Sequence, residues 1–317
     1  MKSSWVPDRP TSRGATAYHE AVVDSSWHKN NVGGLIDLVK NTIKDDEIVV
    51  DFGAGTGASA IYLLKKIKKN YSLWLVDNSP SWLGKAYDIL HLDKRVSFIR
   101  LGKTGDRYFA LNEAMGDDSV NHVVSANTVH LIPDIKDAFR SMYKALIKGG
   151  TFVFQSGNML RLSRESGILT IDDSVNQVHD LALEMIRSDE RFARYRHDLK
   201  KRIERESWQR KFVFPTPRPI DFYIEALKAH GFKNIKVTHK RIKVLYADWL
   251  NFLRVRRLQA GILPEVGGKE ASPREELDRD ALVTEAAKQL FTKLRNHNPT
   301  ANATSFTAEW IYVYSEK

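Results

Sequence analysis

The chain has 317 residues, of which 42% are hydrophobic and 28% are charged, a composition typical of a globular protein that buries a substantial core. It contains no cysteine, which excludes disulfide bonds, thiolate metal sites and cysteine nucleophiles. The formal net charge of +10 indicates either an anionic partner or a well-solvated surface.

Residues 1–44 are predicted to form an N-terminal helical cap. Residues 1–20 lack the apolar core of a signal peptide, and no window of about 18 residues in the chain is apolar and uncharged. We therefore expect a cytoplasmic protein that makes no use of a membrane. From Ala17 to Lys44 apolar residues recur near helical spacing, as in "NNVGGLIDLVKNTI".

Residues 45–157 alternate regularly between predicted strands and helices. Strands are expected at 48–52, 72–77, 96–101, 120–127 and 149–157, and helices at 58–69, 81–90 and 135–147. This alternation is typical of an α/β protein with a doubly wound, mostly parallel sheet that helices cover on both faces.

The alternation stops after Gly157. Residues 158–219 have a helical, highly charged pattern, and we expect them to form a helical lid inserted after the fifth strand. Residues 220–317 return to the core with a helix and a terminal strand pair, at 232–244 and 305–316.

Three glycines follow the first strand in "IVVDFGAGTGASAIYLL", directly after Asp51 and Phe52. Glycine lets the backbone turn sharply and approach a ligand without a Cβ in the way, and free N–H groups at the following helix start favour a polar or anionic group. A second acid, Asp77, ends the next strand, where a carboxylate suits the hydroxyls of a ribose. Together these elements indicate a nucleoside cofactor without identifying it.

Three motifs resemble those of the class I S-adenosylmethionine-dependent methyltransferases. "VVDFGAGTG" is similar to the first motif of that family, "LWLVDNS" to the second, and "DDSVNHVVSANTVHLIPDIKDAFRSMYKALIKGGTFVFQ" to the run that ends the family's core. The resemblance covers residues 45–157 well and 220–317 loosely, and the chain departs from the family pattern at Lys148 and at Val120-Asn121. It implies a seven-stranded sheet with an antiparallel last strand, and a methyltransferase that uses S-adenosylmethionine.

The resemblance also implies which residues hold the cofactor. Asp51 and the glycines would bind its amino-acid end, Asp77 its ribose, an aromatic ring at Trp82 its adenine, and Tyr18 its methionine end. For these residues the alternatives are a structural turn, a surface acid and helix packing. The implied cofactor-binding residues are Tyr18, Asp51, Gly53, Gly55, Gly57, Asp77, Asn78, Trp82, Gly105, Asp106, Asn127 and Thr128.

His130 lies just past the fourth strand, at the same sheet edge as the glycines. It is the candidate catalytic residue, either as a general base or as a group that orients the methyl acceptor, and local packing is the alternative. The resemblance implies an in-line methyl transfer, in which the protein mainly positions the acceptor and excludes water. That reaction requires no metal, and we expect none.

The favoured function is methyl transfer to a small-molecule acceptor that is anionic or aromatic, because the inserted segment can close over a compact pocket. An RNA methyltransferase is the alternative, and it would use the basic stretches 187–211 and 240–257. The segment "SANTVHLIPD" lacks the D/N-P-P-Y motif of adenine and glutamine N-methylation. A regulatory protein that keeps the fold without catalysis is the third hypothesis, and the oligomeric state stays open.

Overall fold

The computed structural model describes residues 13–105, 107–297 and 305–317. The chain divides into two compact units. The first consists of Met1–Leu162, Arg218–Lys240 and Trp310–Lys317, and the second of Ser163–Pro217 and Arg241–Glu309.

The first unit is built on a seven-stranded sheet whose spatial order is β3-β2-β1-β4-β5-β7-β6. Strands β1 to β5 pair in parallel, and β7 pairs antiparallel with β5. This confirms the predicted mostly parallel, doubly wound sheet with an antiparallel last strand. The strands are β1 Ile48–Phe52, β2 Ser72–Asp77, β3 Val96–Arg100, β4 Val120–Ala126, β5 Leu146–Ser156, β6 Lys233–Leu245 and β7 Ser305–Glu316.

Helices account for most of the remaining described chain. None of the helices described combines the length and apolar content that crossing a membrane requires. They are α1 Arg13–Val23, α2 Ser26–Val39, α3 Ala58–Lys66, α4 Pro80–Leu90, α5 Leu111–Met115, α6 Ile135–Ala145, α7 Ile171–Ser188, α8 Leu199–Val213, α9 Ile220–Ala229, α10 Tyr246–Leu253, α11 Arg256–Ile262 and α12 Pro273–His297.

Helices cover both faces of the sheet. Successive side chains of a strand point to opposite faces, so a strand that is apolar throughout has side chains to bury on each face. On one face Phe152 and Phe154 of β5 pack with Phe139 of α6 and Tyr223 of α9, and all four are 0% exposed. Burying each such ring contributes roughly 1.5–3 kcal/mol. On the other face α2 packs against β5 and α3. This double covering keeps the strands in fixed positions and leaves their carboxyl ends to form a site.

The order of the strands determines where that site lies. β1 is between β2 and β4, and the direction in which the chain adds strands reverses at β1. In open α/β sheets, ligands bind beyond the carboxyl ends of the strands at such a reversal. A ligand site is therefore expected at the loops that follow β1, β2 and β4.

The second unit is mainly helical, and it includes more of the chain than the predicted insertion. Residues 241–309 are predicted from the sequence to belong to the core, whereas the structure groups them with 163–217. The physical reason is helix packing, since α12 packs along α7 and α11 packs on α8. Helix α12, Pro273–His297, is the longest of the helices described.

Candidate functional site

The loop after β1 has a backbone that favours glycine. Gly53, Gly55 and Gly57 have φ values of +71°, +56° and +77°, in the left-handed region that other residues rarely adopt. The N–H of Gly53 donates to the carbonyl of Val76 at 2.8 Å, so the loop is tied to the end of β2. A Cβ on Gly53 would overlap the side chain of Thr128. The glycines therefore allow three loops to meet closely at the sheet edge.

Asp51 lies beneath this loop as a buried carboxyl group. It is 1% exposed, and its Oδ2 has no hydrogen-bond partner among the described residues. Burial, and then the negative charge of Asp77, raise the pKa of Asp51 to about 7. A buried oxygen without a partner is costly, so this carboxyl group suits a positively charged or hydrogen-donating ligand group.

Asp77 connects the two loops that follow β1 and β2. Its Oδ2 accepts the N–H of Gly55, and its Oδ1 accepts the N–H of Ser79, each at 2.8 Å. A carboxylate has about four lone-pair sites, so it can accept hydroxyl groups as well as main-chain N–H groups. Asn78 is exposed in the loop that follows. The carboxylate is thus held in place by main-chain donors while it remains able to bind a diol.

Two aromatic rings lie over the glycine loop. Tyr18 of α1 and Trp82 of α4 have ring centroids 4.3 Å apart and planes inclined by 39°. A Cβ built on Gly55 would be 3.2 Å from the Trp82 ring. His19 binds the loop directly, because its Nδ1 lies 3.1 Å from the hydroxyl of Thr56. Helix α1 is therefore attached to the site by both a ring contact and a hydrogen bond.

The loop after β4 completes this edge. Asn127 has a φ of +51°, its N–H donates to the carbonyl of Gln155 at 2.9 Å, and its Oδ1 accepts from the indole of Trp310 at 3.0 Å. The hydroxyl of Thr128 donates to the carbonyl of Gly53 at 3.1 Å. A non-glycine residue in the left-handed region is strained, and such strain is common at functional sites.

His130 lies on a short 3₁₀ turn, Val129–Leu131. Its Nδ1 is 2.8 Å from the hydroxyl of Ser156, which also accepts the N–H of Asn158 at 2.9 Å. The residue is partly exposed, but its ring is largely removed from water. This desolvation lowers the pKa of His130 to about 3, and the positive charge of Arg218 is the second cause. His130 is therefore a neutral imidazole at ordinary pH, with Ser156 able to donate to Nδ1.

Two of the expected cofactor residues fall on the segment after β3. Gly105 is at the tip of a small hairpin formed by Lys103–Thr104 and Arg107–Tyr108, with open space around it. Asp106 lies outside the described residues. The structure therefore brings together the loops after β1, β2 and β4, and it places Gly105 on a separate turn.

Sequence reasoning did not find three polar neighbours of the site: Thr56, Ser156 and Arg218. Ser156 is 26 residues from His130, and Thr56 is 37 residues from His19. Arg218 donates to the carbonyl of Ile132, 86 residues away. These pairs have no local spacing that a single sequence could reveal, because tertiary packing alone brings them together.

The residues present fit a nucleoside that carries a charged amino-acid end. Asp51 has a buried carboxyl oxygen without a partner among the described residues, and the glycine loop packs so closely against Thr128 and Trp82 that side chains on it would force them apart. Asp77 adds an acceptor suited to ribose hydroxyls, and the two rings add a flat apolar surface.

Comparison with known proteins agrees with this geometry. Residues 49–150 match a family model described as a methyltransferase domain. The carboxy-S-adenosyl-L-methionine synthase of Nautilia profundicola is 25% identical over 229 residues, which are 71% of this chain and 83% of that protein.

Solved structures share the fold. The YcgJ protein of Bacillus subtilis has a TM-score of 0.53 and 14% identity, covering 90% of this chain and 98% of that one. Phosphoethanolamine N-methyltransferase 2 of Haemonchus contortus, in complex with S-adenosyl-L-methionine, has a TM-score of 0.52 and 17% identity, covering 96% of this chain and 56% of that one. The family match and the sheet order together show that this chain contains a methyltransferase domain with a Rossmann-like fold.

Proposed function

We propose that this enzyme transfers a methyl group from S-adenosylmethionine to a small-molecule acceptor. The state of two basic stretches, 187–211 and 240–257, favours a small-molecule acceptor over RNA. An RNA substrate would depend on these stretches for its binding. Their cations are largely engaged within the protein. This leaves less unbalanced positive charge for the contacts with phosphates that dominate nucleic-acid binding.

The internal partners of these cations are carboxylates and backbone carbonyls. In 187–211 the engaged side chains are Arg191, Arg194, Arg196, Lys201, Arg202, Arg205 and Arg210. In 240–257 they are Lys240, Arg241, Arg254 and Arg256. Exposed pairs of this kind contribute little to stability, but they do lower the local positive potential.

Residues of the loops after β1, β2 and β4 would each hold a different part of the cofactor. Asp51 and the glycine loop are proposed to hold its amino-acid end, and Asp77 its ribose. Tyr18, which the resemblance assigned to the methionine end, contacts the ring of Trp82 and is proposed to hold the base with it. Asn127 and Thr128 are proposed to line the side nearest the methyl group. When bound, the cofactor supplies an electrophilic methyl on a positively charged sulfur. The protein's part is to align the acceptor and to keep water away.

His130 is proposed to orient the acceptor through a hydrogen bond. A group with a pKa of about 3 is a weak base, so it removes a proton from a substrate poorly at neutral pH. A neutral imidazole whose Nδ1 accepts from Ser156 presents Nε2–H as a donor. The side chain can therefore hold an acceptor oxygen or another lone-pair atom close to the transferred methyl.

The choice between small molecule and RNA can be tested by following the methyl group. The protein is incubated with methyl-tritiated S-adenosylmethionine and with either the small-molecule fraction or the RNA fraction of a cell extract. We expect label to enter the small molecules and expect salt to have little effect. Label in RNA, with binding that weakens steeply as salt rises, would establish the alternative acceptor.

The nucleoside product should be identified in the same reaction. Methyl transfer leaves S-adenosylhomocysteine, which mass spectrometry separates from any modified cofactor. The relative from Nautilia profundicola is named for the synthesis of carboxy-S-adenosyl-L-methionine. Recovery of a carboxylated cofactor with no S-adenosylhomocysteine would therefore contradict the proposed methyl transfer.

Binding of the cofactor near pH 7 is expected to release about half a proton from Asp51. The pKa of Asp51 is about 7 in the free protein, so the group is about half protonated there, and a neighbouring positive charge favours the carboxylate. Calorimetry in two buffers with different ionisation enthalpies measures this proton. The Asp51→Asn variant should release none, and a wild-type signal independent of buffer would contradict the proposed contact.

The raised pKa of Asp51 also makes the stability of the protein without cofactor depend on pH. Between the ordinary value of 3.8 and about 7 the folded chain holds a proton on Asp51 that the unfolded chain has lost. This contribution to stability is therefore present at low pH and is lost as pH rises through the folded pKa. Asp51→Asn should flatten that part of the stability profile.

A further inference from the structure

Arg218 is fixed at the same sheet edge as His130. Residues Arg218–Pro219 pair in parallel with Met159–Leu160, which follow β5. One guanidinium nitrogen, Nη2, donates to the carbonyl of Ile132 at 2.9 Å, at the end of the turn that carries His130. The guanidinium also lies 5.0 Å from the centroid of the Phe222 ring. The charge is thus held in one place by backbone pairing, a hydrogen bond and a ring contact.

Two buried donors in this region have no hydrogen-bond partner among the described residues. One is Nη1 of Arg218 and the other is the hydroxyl of Tyr223, whose side chain is 0% exposed. A buried donor without a partner destabilises the folded chain, and more strongly when the group is charged. Native proteins retain such groups mainly where a ligand or a bound water satisfies them.

Arg218 is the charge that acts on both neighbouring titratable groups. It lowers the pKa of His130 and opposes the rise in the pKa of Tyr223, and burial is the larger cause in each. Within the part of the chain that the structure describes, no carboxylate contributes to either shift in pKa. The local field is therefore positive, and the hydrogen-bonding groups around it are donors: a guanidinium, a phenol and, with Nδ1 accepting from Ser156, an imidazole N–H.

We propose that Arg218, Tyr223 and His130 form a subsite that binds an anionic group, a carboxylate or a phosphate, of the methyl acceptor. The inference rests on the proposed function, and it adds the chemical class of the acceptor. A guanidinium with a free N–H edge matches the geometry of both anions. A charged acceptor held at this point would be placed beside the loop after β4, where methyl transfer is proposed to occur.

The subsite is tested with inorganic phosphate and with acetate as probes. Both are titrated into the protein in the presence of saturating S-adenosylhomocysteine, so that the site for the cofactor's own carboxylate is filled. Binding is followed by the imidazole signals of His130 in NMR spectra. We expect millimolar binding and an increase in the pKa of His130, because the bound anion offsets the charge of Arg218. The two probes show whether carboxylate or phosphate is preferred.

Three variants make the result decisive. Arg218→Gln should abolish anion binding, and Tyr223→Phe, which removes only the hydroxyl, should weaken it about tenfold. Arg140→Gln, a change in an exposed arginine paired with Asp137, should bind the probes as the wild type does. Equal affinity in Arg218→Gln or in Tyr223→Phe, or no anion binding by the wild type, overturns the subsite. The wild type would fail to bind the anions if the two donors were satisfied by a water molecule instead of a ligand.

Failure of the subsite and failure of the proposed function are distinguishable. Binding of S-adenosylhomocysteine is measured in the same samples by calorimetry, and it should be retained in all three variants. If the wild type does not bind that nucleoside, the proposed function fails. If the nucleoside binds and the anions do not, only the subsite fails. Tyr223→Phe keeps the test valid even if Arg218→Gln proves unable to fold.

Discussion

Replacing Asp77 with alanine is expected to lower the affinity for S-adenosylmethionine by about 10- to 100-fold, because hydrogen bonds to a charged group contribute roughly 1.5–3 kcal/mol. The variant loses the proposed acceptor for the ribose hydroxyls. It also leaves the N–H groups of Gly55 and Ser79 without the carboxylate oxygens that each binds at 2.8 Å. The glycine loop and the loop after β2 would therefore lose the group that joins them. Isothermal titration calorimetry measures the change.

The controls for this prediction lie close to the site. Asp88→Ala removes an exposed carboxylate from α4, the helix that carries Trp82, and should leave the affinity unchanged. Asp77→Asn keeps one acceptor oxygen without the charge and should give an intermediate loss. Wild-type affinity in Asp77→Ala would show that the carboxylate does not hold the cofactor.

The second large effect is expected for Gly53→Ala. The added methyl group would overlap Thr128, in a backbone with a φ of +71° that disfavours any side chain. Strain and overpacking of this kind cost about 1–3 kcal/mol each. The loops after β1 and β4 must move apart to accept the methyl group, so cofactor binding should be lost together with stability. Urea unfolding and calorimetry measure the two losses.

Gly149 provides a matched control for this substitution. It also has a positive φ, +80°, but a Cβ built on it meets nothing within 4 Å. Gly149→Ala therefore adds the backbone strain without the overlap, and it should destabilise the protein slightly while the cofactor still binds. If the two variants prove equally stable and bind equally well, the close approach of Thr128 to the glycine loop has no functional importance.

The features that the sequence predicted correctly are local ones. The glycine loop and the alternation of residues 45–157 could be recognised because turn chemistry and periodicity act over a few neighbouring residues. The sheet order then follows from the way such strands and helices wind. The grouping of residues 241–309 could not be predicted, because it depends on which helix faces pack together over a long separation.

The electrostatic state of the site also lay beyond the sequence. Asp51 and His130 have ordinary side chains, yet the pKa of Asp51 rises to about 7 and that of His130 falls to about 3. Desolvation is the first cause in both cases, and it depends on how completely the fold surrounds each group. Arg218 influences His130 from a segment about ninety residues further along the chain, so its role becomes visible only in three dimensions.

The position of β7 in the sheet delays completion of the fold until the end of translation. This strand lies between β5 and β6, although the ribosome makes it after both of them. During translation the earlier strands can assemble, but the gap beside β5 stays open until Trp310 and Tyr312 have emerged. Asn127 then receives its indole partner last. A nascent chain stalled before that point should bind the nucleoside poorly and engage chaperones through the uncovered edge.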